Sequence, residues 1–277
     1  MKQSQAKKHD NTMTNKILMR LIALVLGLLF LEILIIHSKN EQQKSVSNQV
    51  QTARIMANGD LLYHDGLYMS ALQADGSYDF TENFTYVKPW LKQADLVLGD
   101  FEGTINPDYP LSGYPLFNAP QSVTAAISDA GYDVMDLAHN HILDSGLEGA
   151  FTTADAFKEV GIDPVGVYEN PVRDKAPLFI KNVNGIKVAI LSYAYGFNGL
   201  ESNLTEKEIA NHLSNLDEKR MKVEIERAEK EADVTVIMPQ MGVEYRLEPT
   251  DEQVKLYHKM IDWGADIIFG GHPHVVE

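Results

Sequence analysis

The sequence predicts an α/β domain of layered sheets and helices, preceded by one helix that spans a membrane. Short apolar runs alternate with longer helical patterns from about residue 54 onward, as they do in α/β proteins. A continuous apolar stretch, 17–36, lies near the N-terminus. Polar side chains, mainly Asp, Glu, Asn and His, follow most of the apolar runs in the domain. Together these observations indicate an anchored domain with polar groups gathered at one edge of its sheets.

The apolar stretch 17–36 has the length of a transmembrane helix. A buried core helix would show a polar face, which this stretch lacks. A cleaved signal peptide is the closer alternative, because the basic start and apolar middle both fit it. The residues that follow, 37–46, offer no small-residue cleavage site, so an uncleaved anchor is favoured.

The chain is therefore predicted to have four parts. They are a cytoplasmic basic tail at 1–16, a transmembrane anchor at 17–36, a flexible polar stalk at 37–53 and a domain at 54–277. Lysines precede the span, so the rule that positive flanks stay inside places the domain outside the cytoplasm. We expect a single-pass protein of the cell membrane that contacts lipid through its N-terminal helix.

Strands and helices are predicted to alternate through the domain. The predicted strands are 53–57, 96–98, 134–137, 187–192, 234–238 and 267–269. The predicted helices are 86–93, 122–130, 147–160, a highly charged stretch at 205–231, and 250–263. The strands are short apolar runs bounded by turn residues, and the longer segments between them have helical patterns. This alternation is typical of a layered α/β domain.

The composition excludes several classes of function. The formal net charge is −15. Four of the basic residues, Lys2, Lys7, Lys8 and Lys16, precede the apolar stretch, and Arg20 lies near its start. The rest of the chain is therefore more acidic still and repels phosphate backbones, so we expect no nucleic-acid partner. The chain has no cysteine, which excludes disulfides, thiolate metal sites and a cysteine nucleophile.

Polar side chains follow the predicted strands where the strands end. They are Asp60, Asp100 with Glu102, Asn140 with His141, Gln240 with Glu244, and His272 with His274. Ligands of open α/β sheets collect beyond the carboxyl ends of the strands, so we expect these groups to be neighbours. Singly, an Asp after Gly is commonly a turn or cap residue, 139–141 could be a polar loop, and the last histidines could be an exposed tail. Their joint occurrence favours one site.

This mixture of side chains suits metal-dependent hydrolysis. Carboxylates and imidazoles together bind Mn²⁺, Fe²⁺ or Zn²⁺, and an Asn oxygen adds a neutral ligand. A pair of such ions hydrolyses an ester with an activated water, and a histidine that is not a ligand protonates the leaving oxygen. We therefore expect two divalent ions, of unknown identity, at this edge of the sheets.

The motifs resemble those of calcineurin-like metallophosphoesterases: NGD at 58–60, GDFE at 99–102, HNH at 139–141 and GGHPH at 270–274. More closely, the chain from about Arg54 to Glu277 resembles the bacterial CapA/PgsA family of capsule and poly-γ-glutamate synthesis proteins, through NHILDSG, GVEY and GGHPHV. The resemblance implies a metallophosphoesterase-like layered sandwich of two sheets flanked by helices. Relatives continue beyond the HPHV motif, so a C-terminally truncated domain is expected.

By motif position, the resemblance assigns roles to most of the candidate residues. The implied metal ligands are Asp60, Asp100, Glu102, Asn140, His272 and His274, with Asp100 and Glu102 where a bridging carboxylate belongs. His141 is the implied general acid, and Asp144 is the partner that orients it. Further candidate ligands are His64, Gln240 and Glu244.

Departures from the family pattern bear on the metal site. Gln240 and Met241 stand where the family often has His-Trp, so an amide replaces an imidazole. His64 does not have the usual Asp-x-His spacing after Asp60, and the shared carboxylate is displaced, with Glu102 as its substitute. Each change either weakens a metal site or tunes it.

Three functions fit the sequence. The favoured one, implied by the resemblance, is a component of capsule or poly-γ-glutamate biosynthesis and export, with membrane subunits of a polymer synthase or exporter and the anionic polymer as partners. The second is an active metal-dependent phosphoesterase or hydrolase of cell-envelope substrates. The third is a polymer-binding module without metal.

Overall fold

The computed structural model describes residues 18–22, 24–39 and 50–277. The predicted basic tail and most of the predicted stalk lie outside the described residues. The chain divides into two units, 1–51 and 52–277. In the first unit, helix α1 (Leu18–Lys39) has 22 residues and a mean hydropathy of 2.6, so by length and composition it could cross a membrane. This helix continues three residues beyond the predicted anchor, 17–36.

The second unit contains two four-stranded sheets. The first sheet consists, in chain order, of β1 (Ile55–Asp60), β2 (Leu96–Asp100), β3 (Val134–Asp136) and β4 (Asp163–Val165), all parallel. The second consists of β5 (Ile180–Val183), β6 (Ile186–Ala194), β7 (Val234–Gln240) and β8 (Ile267–Ile268), of which only β5 is antiparallel to its neighbour. The parallel strands therefore end at a common edge within each sheet.

Seven helices of the second unit follow the strands. They are α2 (Asp65–Ala71), α3 (Lys88–Leu91), α4 (Val123–Ala130), α5 (Gly146–Glu159), α6 (Glu206–His212), α7 (Glu218–Glu231) and α8 (Asp251–Trp263). Thr250 begins α8 with a capping box, in which its hydroxyl and the side chain of Gln253 bind each other's backbone N–H groups. Gly264 ends α8 with a φ of 116°, a left-handed conformation that favours glycine.

The second unit has four layers, which are helices, the first sheet, the second sheet and further helices, and buried apolar side chains pack between them. The side chains of Leu98 and Ile190 pack between the two sheets. Val97, one residue from Leu98, faces the helices of the first sheet instead, because successive side chains of a strand point to opposite faces. Ile225 of α7 packs with Ile237 on the outer face of the second sheet. Each such side chain contributes about 1.5–3 kcal/mol when fully buried. The predicted sandwich of two sheets flanked by helices is confirmed.

All six predicted strands are present, although their ends differ by up to three residues. Strands β4 and β5 and helix α2 were not predicted. Strand β4 has only three residues and contains Pro164, so its sequence carries little strand signal. The predicted helix 86–93 shortens to α3.

The prediction of one helix at 205–231 is wrong, because this stretch forms α6 and α7. Between them the chain is extended: the N–H of Ser214 donates to the carbonyl of Gly166 at 3.0 Å, and that of Leu216 donates to Ala194 at 2.9 Å. The Leu213 side chain is fully buried in the core. Hydrogen bonds to distant strands and burial of Leu213 thus override the local helical pattern.

Candidate metal centre

The predicted ligands converge at the carboxyl ends of both sheets. Asp60 and Asp100 are the last residues of β1 and β2, and they are paired in register. Gln240 ends β7, and a bridge between Gln240 and Gly271 brings the GGHPH segment to the same edge. A Cβ on Gly271 would lie 2.8 Å from Asp100 Oδ2 and 3.2 Å from Asp60 Oδ1, so any larger residue at this position would require the two carboxylates to shift.

Asp60, Glu102 and His274 form a cluster that could hold a metal ion. One potential ligand atom from each lies within 4.8 Å of the others. His274 Nδ1 is 2.7 Å from Asp60 Oδ2, and the N–H of His272 donates to Asp60 Oδ1 at 3.2 Å. Glu102 is only 1% exposed. Two carboxylates and an imidazole are a donor set that suits borderline divalent ions.

Several polar atoms around this cluster lack partners, as a cation site requires. Asp100 Oδ1, Glu102 Oε2 and His272 Nδ1 are buried and have no hydrogen-bond partner in the described part of the chain. An unpaired buried polar group costs about 1–3 kcal/mol, and more when it is charged. A divalent cation would satisfy such atoms directly. The side chains present therefore fit a metal ion.

The carboxylates of the centre also repel one another. Burial, followed by the charges of neighbouring carboxylates, raises the pKa of Asp100 well above its ordinary value. The same causes raise the pKa of Glu102 from 4.5 to about 9, and burial raises that of Asp136 to about 7. A bound cation would offset this repulsion and return the groups to their charged forms.

Metal-free protein should lose stability as the pH rises. The pKa of Glu102 is raised in the folded chain, so its stabilising contribution is complete below 4.5 and is lost as the pH rises through about 9. Mn²⁺ should reverse this loss. At a hundredfold excess over Kd it would add about 2.7 kcal/mol, or roughly 5–10 °C in Tm for a domain of this size.

Thermal unfolding of the purified chain in detergent at acidic and alkaline pH, with Mn²⁺ or with chelator, measures both effects. Equal Tm values under all four conditions would contradict a cation site in this cluster.

His141 stands beside the cluster and is oriented by Asp144. Its Nδ1 is 2.7 Å from Asp144 Oδ2, and its Nε2 is 3.9 Å from Glu102 Oε1. Asp144 Oδ2 also accepts from the N–H of Phe117 at 2.6 Å, and the Phe117 ring packs edge-on against His141. Burial raises the pKa of Asp144, while its hydrogen bond with His141 opposes that shift. With Nδ1 bound to Asp144, Nε2 is the ring nitrogen that faces the centre.

Asn140 and Gln240 bind each other. Gln240 Nε2 donates to Asn140 Oδ1 at 3.0 Å, and the N–H of Asn140 donates to Gln240 Oε1 at 2.8 Å. Asn140 Nδ2 donates in turn to Asn198 Oδ1 at 3.2 Å. The two amide side chains predicted as ligands therefore lie at the centre but are already paired.

The remaining candidates differ in their placement. His272 is buried with its ring against Tyr195, and burial lowers its pKa. Its φ of 93° and the φ of 58° at His274 are strained for residues other than glycine, as is common at functional sites. Glu244 is exposed, but its charge acts on both Glu102 and His272.

His64 is the remaining candidate ligand. It is exposed at the start of α2, and its ring packs against Phe117. The cluster formed by Asp60, Glu102 and His274 does not include it.

The sequence patterns did not identify two residues of the centre, Asp136 and Asn198. Asp136 ends β3, is buried and pairs in register with Asp100, so three strands carry side-by-side carboxylates at their ends. The signal was present, since Asp136 follows the apolar run as Asp60 and Asp100 do. Asn198 contacts both His141 ring nitrogens at 3.4 Å from a loop after β6. No local pattern distinguishes such a loop residue.

Comparisons with known proteins agree with the fold and the motifs. The family model for the bacterial capsule synthesis protein PGA_cap matches residues 54–277. The capsule biosynthesis protein CapA of Bacillus anthracis is 34% identical over 203 residues, which cover 70% of this chain and 48% of the relative. The PGA biosynthesis protein CapA of Bacillus subtilis is 28% identical over 274 residues, covering 98% of this chain and 70% of the relative. The chain thus spans about half the length of the first relative and over two thirds of the second.

A solved structure shows the same fold. It is that of a candidate 5′-nucleotidase from Staphylococcus aureus in complex with alpha-ketoglutarate, with a TM-score of 0.51 and 16% identity. The match covers 80% of this chain and 46% of that chain. At this identity the likeness concerns the fold alone, which is metallophosphoesterase-like.

Proposed function

The chain belongs to the PGA_cap family of bacterial capsule synthesis proteins, and from this premise we propose that it is a membrane-anchored component of capsule polymer biosynthesis with a metal-dependent hydrolytic site. Helix α1 supports the anchor, and lysines before it favour a domain outside the cytoplasm. The polymer is poly-γ-glutamate or a related polyanion, which the name of the Bacillus subtilis relative supports. Membrane subunits of a polymer synthase or exporter are the partners that this role requires.

One observation carries the hydrolytic part of the proposal: a carboxylate–imidazole cluster lies next to an oriented histidine outside that cluster. Asp60, Glu102 and His274 form the cluster, and His141 with Asp144 forms the oriented pair. A purely structural polar core would pair its buried oxygens with donors, whereas Glu102 Oε2 has no partner in the described part of the chain. The arrangement separates ligands from a proton donor, as hydrolysis requires.

The residues divide the chemistry between them. Asp60, Glu102 and His274 would hold a divalent ion, which would supply Lewis-acid activation of a phosphoester or, as an alternative substrate, an amide. His141 donates a proton from Nε2 to the leaving group. The Asp144 carboxylate binds Nδ1, which fixes the ring and stabilises its positive charge before transfer. Phe117 packs edge-on against the ring and restricts its rotation.

A cavity of about 270 Å³ beside His141 can receive the leaving group. Tyr114, Leu116, Asn198 and Glu244 contribute to its walls. The Glu244 carboxylate disfavours an anionic leaving group. The Asn198 amide and the Glu244 carboxylate together can form hydrogen bonds with hydroxyl or amide groups. The cavity therefore favours a sugar-like or amide-bearing leaving group over a second phosphate.

The proposal is tested on the purified chain and in the cell. With Mn²⁺, the chain should hydrolyse bis-p-nitrophenyl phosphate or p-nitrophenyl phosphate, and deletion of the gene should remove the capsule polymer. Complementation of the deletion with an Asp60→Asn variant then distinguishes a catalytic role from a scaffolding role. Failure to restore capsule supports a catalytic contribution, and normal capsule indicates scaffolding. A folded chain that retains no metal and hydrolyses nothing would instead support a polymer-binding module.

A further inference from the structure

We propose that the centre binds one divalent ion tightly, at Asp60, Glu102 and His274, and that the Asn140–Gln240 pair takes the place of ligands for a second. This inference rests on the metal site of the proposed function and departs from the two ions expected from the sequence. It follows from how Gln240 is held.

Gln240 uses both atoms of its amide in hydrogen bonds. It is 0% exposed at the end of β7, so bulk water does not compete for these bonds. Its nitrogen donates to Asn140 Oδ1 at 3.0 Å, and its oxygen accepts from the N–H of Asn140 at 2.8 Å. An amide N–H group is a donor and cannot bind a cation. The Gln240 nitrogen therefore occupies Asn140 Oδ1, the oxygen that would ligate a second ion.

Asn140 is fixed from both sides of its amide. Its oxygen accepts from Gln240, and its nitrogen donates to Asn198 Oδ1 at 3.2 Å. Rotating the amide to present the oxygen elsewhere would break both bonds in a buried setting, at about 1–3 kcal/mol for each group left unpaired. The pair is therefore a stable alternative to metal ligation.

Outside the Asp60–Glu102–His274 cluster, too few imidazole and carboxylate ligands remain to bind a second ion tightly. Among the described residues at this edge and outside the cluster, His272 Nδ1 and Asp100 Oδ1 are buried and unpaired, whereas Glu102 Oε2 belongs to a ligand of the first ion and Asp136 Oδ1 already accepts from the N–H of Ala138 at 2.7 Å. One imidazole and one carboxylate fall short of the three protein ligands that catalytic zinc sites commonly have. The neutral amide oxygens of Asn140 and Gln240 are poorer ligands than imidazole for such ions. A second ion would consequently dissociate readily.

Metal counting tests the inference without an activity assay. The chain, purified in detergent, is equilibrated with Mn²⁺, passed through metal-free buffer, and analysed for metal per chain. We expect one equivalent. Gln240→His places an imidazole at the end of β7 and removes the amide pair, so it should retain close to two equivalents. Gln240→Met removes the pair but adds no strong ligand, and it should stay at one.

Spectroscopy on the unaltered chain provides a check that needs no variant. A single bound Mn²⁺ gives the paramagnetic resonance spectrum of an isolated ion, whereas two neighbouring ions give a spin-coupled one. Two retained equivalents, a coupled spectrum, or a folded Gln240→His variant that stays at one equivalent would overturn the inference and leave the proposed function standing. No retained metal in the unaltered chain would overturn the inference and remove the metal basis of the proposed function.

Discussion

Replacing His141 with alanine should lower kcat for phosphoester hydrolysis by about 10²–10⁴-fold, the usual contribution of a general acid. The ring lies outside the Asp60–Glu102–His274 cluster, so bound metal should be retained. The loss should depend on the leaving group. A nitrophenolate leaves without protonation, so its hydrolysis should fall least, whereas an alkyl ester should approach the full loss. Steady-state rates on both ester classes, with metal content measured in parallel, provide the test.

Asp144→Asn is the matched control for this experiment. It keeps an oxygen that can accept from His141 Nδ1 but removes the negative charge that stabilises the charged ring. A smaller fall in kcat than that of His141→Ala is expected. A His141→Ala variant that hydrolyses both ester classes at the original rate would show that His141 is not the acid.

Replacing Asp60 with asparagine should abolish metal retention and hydrolysis and yet stabilise the metal-free chain at alkaline pH. The charge of Asp60 helps to raise the pKa values of Asp100, Glu102 and Asp136, so its removal relieves repulsion in the folded state. Thermal unfolding with and without Mn²⁺ should therefore show a higher metal-free Tm than that of the unaltered chain and no rise on adding metal.

Asp136→Asn is the corresponding control, because it removes a buried charge from the same edge without touching the cluster. It should also raise the metal-free Tm, but metal retention should persist. A purely structural role for Asp60 predicts the opposite result, since its loss would then destabilise the chain under every condition. A lower Tm for Asp60→Asn with and without metal would therefore count against the centre.

The meeting of Asp60 and Asp100 at one edge of the first sheet could be predicted from the sequence, because it depends on a local pattern. Asp60 and Asp100 come shortly after apolar runs, and parallel strands bring such residues together whatever the details of packing. The pairing of Asn140 with Gln240 could not be predicted, since it joins residues 100 positions apart. Asn198 was missed for the same reason. Sequence patterns indicate which side chains reach the centre, whereas tertiary contacts decide which of them remain free to bind.

The helix boundaries likewise fall into two kinds, those set by local signals and those set by distant contacts. The predicted helix 250–263 agrees with α8 to within a residue, because Thr250 and Gly264 are local start and stop signals. The break between α6 and α7 has a distant cause, the burial of Leu213 and the hydrogen bonds of its neighbours to other strands. Residues whose partners are remote in the chain thus account for this break.

The metal cluster also joins strand β1 to the segment that follows strand β8. The His272 N–H reaches Asp60 across 212 residues, and His274 contacts the same carboxylate. An ion shared by Asp60 and His274 would close a loop that contains strands β2 to β8. Closing a long loop removes conformational entropy from the unfolded chain, as a disulfide would. In a chain without cysteine, the ion would thus act as a removable cross-link, and its release would loosen β1 and the GGHPH segment together.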